Sequence, residues 1–80
     1  MSAPAKPITV AIVEDDPMCA GRFEAAVRAA PDLRLAAGFA NGRTALEWLE
    51  SHAVDVLLCD LGLPDLPGMA VIAYCAHRHP

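Results

Sequence analysis

Four carboxylates stand directly behind apolar runs in this 80-residue chain: Glu14, Asp15 and Asp16 follow ITVAIV (8–13), and Asp60 follows VDVLLC (54–59). Carboxylates brought within a few ångströms repel one another and raise each other's pKa unless a cation neutralises them. An all-oxygen donor set suits Mg2+, which keeps several waters and combines one or two carboxylates with phosphate oxygens. One carboxylate can then attack phosphorus and become an aspartyl phosphate. The metal's task there is to neutralise charge on the transferring group. Asp16 has a simpler use. Asp followed by Pro17 starts a helix, because the carboxylate accepts from free N–H groups and proline fits the first helical position.

The acids meet only if the intervening chain brings them together. Both apolar runs are short, carry β-branched residues and end in turn signals, so they read as strands buried on both faces, Ile8–Val13 and Val54–Cys59. A helix from Pro17 to about Ala30 follows the first, with Cys19, Phe23, Val27 and Ala30 at three- and four-residue steps. Leu33–Phe39 is a weaker strand. Asn41-Gly42 turns into a helix from Arg43 to about Ser51, on which Ala45, Trp48 and Leu49 share a face and His52 suits the C-terminal pole. After Asp60 comes a loop marked by Gly62, Pro64, Pro67 and Gly68, then a last helix from Met69 to about His77. Trp48 and Phe23 read as packing residues, Asp65 as a solvated loop residue, Arg22 and Arg28 as an exposed face. His77 and His79, two positions apart, share no helix face and read as solvated.

The order βαβαβα calls for a parallel sheet with right-handed crossovers. Of the spatial orders 1-2-3 and 2-1-3, the second puts the first strand in the centre and helices on both faces. It also sets the ends of strands one and three about 4.8 Å apart. We favour it because it gathers the acids at a switch point of the sheet, where open α/β folds bind ligands.

Composition narrows the function classes. Hydrophobic residues make up 55% of the chain, which argues against disorder. A chain this short buries only about 60% of its unfolded surface and gains roughly 3–5 kcal/mol from one core. The net charge is −4 and the six Lys and Arg residues are scattered, so nucleic-acid binding by this segment is not expected. That also weakens a metal-dependent nuclease or topoisomerase-type reading of the acids. Three cysteines without metal-like spacing, Cys19, Cys59 and Cys75, read as small buried hydrophobes. No signal-peptide core or membrane span is evident, so a reduced cytoplasmic location is the default.

With these residues in place, IVEDDP (12–17) and LLCDLGLPDLPG (57–68) resemble the two hallmark segments of response-regulator receiver domains of two-component signalling. The DLGLPD form is similar to the subgroup with helix-turn-helix output, which acts in transcription regulation. The likeness spans about residues 8–79. It implies a flavodoxin-like doubly wound parallel sheet, truncated here to βαβαβα. The family's sheet also sets strand one beside strand three, so that order and the one inferred from the acids are a single expectation.

Carried over by position, the resemblance makes Asp60 the phosphoacceptor of a phosphorelay. Glu14, Asp15, Asp60 and the Gly62 backbone carbonyl would be the ligands of Mg2+ (or Mn2+), Glu14 largely through water. Pro64 and Gly68 would shape the loop. The donor would be a phosphohistidine on a sensor histidine kinase or phosphotransfer protein, docking near Met18 and Arg22. On this reading the chain accepts a phosphoryl group and is not a turnover enzyme.

The sequence ends where a receiver's fourth strand begins. The expectation is therefore a loose tail at 1–7 and a partial receiver domain at 8–80, without the fourth and fifth βα units. The switch Ser or Thr, the Lys and the aromatic residue that lie there in the family are absent from these 80 residues. Strand three becomes an apolar edge, which natural sheets avoid. Either the chain is a fragment or it dimerises through that edge. The other function class is thus a non-phosphorylated interaction module.

Overall fold

The computed structural model describes residues 6–78; the readings of residues 1–5 as tail and of His79 as solvated fall outside them. Six elements alternate along the chain: β1 Ile8–Val13, α1 Pro17–Ala29, β2 Leu33–Phe39, α2 Gly42–Leu49, β3 Val56–Cys59 and α3 Gly68–Arg78. The strands are parallel and lie in the order β2-β1-β3. The fold is an open, flavodoxin-like α/β sheet with β1 in the middle. Burial of β1 follows from that position: Val10, Ala11, Ile12 and Val13 are 0–2% exposed, an unbroken apolar run covered on both faces.

Local chemistry sets the helix ends. Asp16 is the N-cap of α1, its Oδ1 accepting from the Met18 amide at 2.9 Å, with Pro17 as first helical residue. Asn41 caps α2 in the same way, Oδ1 to the Thr44 amide at 2.9 Å. At the far end of α2 the His52 Nδ1 donates to the Trp48 carbonyl at 2.9 Å, and its ring stacks on Trp48 at 4.5 Å.

Two apolar layers flank the sheet. Under α2 and α3, Val13, Ala45, Leu49, Leu63 and Val71 form one core, joined by Phe39, Trp48, Leu57 and Cys59. Under α1, Val10, Ile12 and Val27 form a smaller one with Leu33 and Leu35. β2 serves both layers because it carries a bulge: Val10 pairs with Leu35, but the next residue, Ala11, pairs with Ala37. The extra residue, Ala36, lets Leu33 and Leu35 face α1 while Phe39 reaches the other core.

Three sequence expectations are corrected here. β3 is shorter than Val54–Cys59 and is not buried on both faces. Its partners are Val10↔Val56 and Ile12↔Leu58, which put Val56 and Leu58 on the α1 face. Val27 is the buried residue of α1, so the helix covers β1 and leaves Val56 and Leu58 each 39% exposed at the sheet edge. For the same reason Phe23 is 45% exposed rather than packed. The strand starts late because Asp55 is otherwise engaged: Thr9 donates to its carboxylate from both backbone N (2.9 Å) and Oγ1 (3.0 Å), and the Asp55 amide donates back to Thr9 Oγ1. Cys19, Cys59 and Cys75 are free thiols that are only half-buried. No helix among the described residues is long and apolar enough to cross a membrane.

A carboxylate cluster at the C-terminal ends of β1 and β3

The sheet ladder continues one residue past each strand, and this extension places the acids. The Asp60 amide donates to the Val13 carbonyl at 2.9 Å, and the Glu14 amide donates to the Phe39 carbonyl at 2.9 Å. Asp60 is thereby held beside the end of β1, and Glu14 beside the end of β2. One carboxylate oxygen from each of Glu14, Asp15 and Asp60 lies within 4.8 Å of the others. Asp16 stands apart from the cluster: its carboxylate takes the Met18 amide and, at 3.6 Å, the Cys19 thiol.

The electrostatics are those of like charges in a partly enclosed site. Glu14 Oε2 accepts from the Asp16 amide at 3.2 Å, which lowers its pKa. Desolvation and the neighbouring Asp60 and Asp15 outweigh that bond, so the Glu14 carboxyl titrates above its ordinary value. Asp60 moves the other way. The Gly62 amide donates to Asp60 Oδ1 at 3.0 Å, and hydrogen bonding with Glu14 and Asp15 adds to it, holding Asp60 below the ordinary carboxylate value. Of the pair, Glu14 keeps a proton longer and Asp60 loses one sooner. Just behind them, burial pushes the Cys59 thiol up, with Asp60 and Glu14 adding to the shift, so Cys59 stays a protonated packing group.

The loop from Leu61 to Pro67 closes on itself. The Gly68 amide donates to the Leu61 carbonyl at 3.1 Å. A Cβ on Gly68 would collide with the Asp60 carbonyl oxygen, so only glycine permits this approach. Leu63 turns inward and is 9% exposed; Gly62 and Pro64 are exposed. Met18 (69% exposed) and Arg22 lie one turn apart on the outer surface of α1.

Asp65 is exposed, as its loop position suggests, but it is not free of partners. Its Oδ1 accepts from the Gly42 amide and its Oδ2 from the Arg43 amide, each at 2.8 Å. These bonds, the Gly42 one foremost, hold its carboxyl below the ordinary value. The only available signal in the sequence is indirect: the first turn of α2 contains no acidic residue of its own to meet the positive end of the helix dipole. Nothing in local spacing points to a partner 23 positions away.

Parallel strands whose ends abut in carboxylates at the reversal point of the winding make the sheet's mouth the candidate ligand site of this α/β protein. The family model for the response regulator receiver domain matches residues 10–80, and the chain belongs to that family. Over 66 residues it is 35% identical to the transcriptional regulatory protein UhpA of Escherichia coli, covering 82% of this chain and 34% of that protein. It is 28% identical over 67 residues to the nitrate/nitrite response regulator protein NarL of Escherichia coli, covering 84% of this chain and 31% of NarL. A protein-glutamate methylesterase/protein-glutamine glutaminase of Rhodospirillum centenum is 27% identical over 74 residues, 92% of this chain and 19% of that protein. The chain thus spans about a third or less of these curated relatives.

Proposed function

We propose that this chain is the phosphoryl-accepting part of a two-component response regulator, with Asp60 as the phosphoacceptor. The observation that carries the reading is the pairing of Glu14, Asp15 and Asp60 at one strand junction, in a chain of the receiver family. The donor is a phosphohistidine of a sensor histidine kinase or phosphotransfer protein. An Asp60 carboxylate oxygen attacks phosphorus; the new O–P bond forms as the P–N bond to the imidazole breaks. The bonding electron pair goes to the ring nitrogen, which takes a proton from solvent. The Gly62 amide on Oδ1 favours the ionised form that acts as nucleophile.

The donor set fits a hard divalent cation. It consists of oxygens only, within 4.8 Å of one another. Glu14, Asp15, Asp60 and the Gly62 carbonyl are the residues that would hold Mg2+ or Mn2+. When bound, the ion neutralises charge on the transferring group. Met18 and Arg22 serve the donor's docking, Pro64 and Gly68 shape the acceptor loop, and the chain works in the cytoplasm. It accepts rather than turns over substrate.

Incubation with a small acyl phosphate and Mg2+, followed by peptide mapping, tests this assignment. The expected result is one phosphoryl group on the peptide containing Asp60, lost when the cation is chelated. Modification elsewhere contradicts it.

The interaction-module reading is favoured by the edge position of β3 and the exposure of Val56, Leu58 and Phe23 beside it. On that reading residues 8–80 form a partial receiver domain, and two copies pair through their β3 edges.

A further inference from the structure

The β3–α3 loop is fastened at two ends, and the second fastening is Asp65. At its base, Gly68 lies against the backbone of Asp60 and Leu61. At its apex, the Asp65 carboxylate takes two successive amides of α2, Gly42 and Arg43, at 2.8 Å each. An apolar contact reinforces the apex: a Cβ on Gly42 would come within 2.6 Å of Leu66 Cδ1, so α2 begins with a glycine where the loop presses on it. The charge is also well placed, since α2 supplies no acid in its own first turn.

The spacer between Asp65 and the acceptor site is short and stiff. Pro64 has a fixed φ and restricts Leu63 to extended conformations, and Leu63 is itself buried. Gly62 comes next, its amide on Asp60 Oδ1 at 3.0 Å. Little slack separates the anchor from the group that orients the nucleophile.

We infer that Asp65 is a positioning residue: by bridging the loop to α2 it holds the Gly62 amide on Asp60 and the Gly62 carbonyl in register with the acid cluster. The consequence for chemistry rests on the phosphoacceptor reading; the anchoring does not.

The test separates positioning from helix capping. Asn41→Ala removes the other cap of α2, the bond to the Thr44 amide, without touching the loop. In metal-free protein, NMR solvent-exchange rates of the Gly62 amide are measured for wild type, Asp65→Ala, Asp65→Asn and Asn41→Ala, alongside Mg2+ affinity by titration. Loss of the anchor in Asp65→Ala is expected to speed Gly62 exchange about tenfold and weaken Mg2+ binding several-fold. Asp65→Asn, whose amide can accept only one of the two bonds, falls between, and it decides the matter if Asp65→Ala does not fold. Asn41→Ala lowers Tm yet leaves both readouts at wild-type values. Unchanged Gly62 exchange in the Asp65 variants, or equal acceleration in Asn41→Ala, overturns the inference. A wild type that binds no Mg2+ sinks the phosphoacceptor reading instead, while the exchange comparison still decides the role of Asp65.

Discussion

Asp60 and Glu14, neighbours in the carboxylate cluster, have surroundings that push their pKa values apart. Asp60 accepts the Gly62 amide and sits low; Glu14 is desolvated, faces Asp60 and Asp15, and sits high. The linkage signs differ accordingly. Glu14, raised in the folded state, favours folding at low pH and loses that contribution as pH rises through its folded pKa. Asp55, Asp60 and Asp65, all lowered, contribute stability above their unfolded values near 3.9 and lose it as pH falls below them. Glu14→Gln is therefore expected to raise the Tm of the metal-free protein at pH 7 and to shrink the Tm gain on adding Mg2+. Thermal scans with and without the ion check this; a lower Tm at pH 7 in Glu14→Gln would show that its charge is not in excess. The types of these acids were legible in the sequence, and so was their place behind apolar runs. The role of Asp65 was not, because its partners are backbone amides of a helix 22 and 23 positions upstream.

At the scale of elements, the sequence was most legible where residue chemistry stops a strand sharply. β1 ends at Val13, just before Glu14, and β2 lies between Pro31-Asp32 and Asn41-Gly42, and both have the bounds their apolar runs suggest. β3 lost its first two residues to the Asp55–Thr9 clamp, a contact between positions 46 apart that no local pattern encodes. The bulge at Ala36 was equally hidden, since Ala-Ala-Gly carries no facing preference. Cover is also uneven on the α1 side of the sheet. Ile12 is 1% exposed and Phe23 is 45% exposed, although both belong to the α1 side. Ile12→Val is expected to cost about 1 kcal/mol and Phe23→Ser less than about 0.5 kcal/mol. Urea midpoints at constant slope measure both. Equal losses would place Phe23 in the core.

For the molecule as a whole, the winding order does the essential work. With β1 central, two acidic segments far apart in the chain, 14–15 and 60, come to one junction, which an order of 1-2-3 would not achieve. Among the described residues β3 is an edge strand with half-exposed apolar residues, a surface that sheets normally pair or protect. Sedimentation velocity of the 80-residue chain across a concentration series is expected to show a monomer–dimer equilibrium, shifted to monomer by Leu58→Lys. Monomer at every concentration would remove the paired-edge reading and leave the acceptor site untouched. Intact mass after saturating acyl phosphate and Mg2+ shows whether Asp60 accepts the phosphoryl group. The wild type is expected to gain one phosphoryl group and Asp60→Asn none, if the acceptor is Asp60. No gain in the wild type, or a gain that survives the substitution, would contradict it.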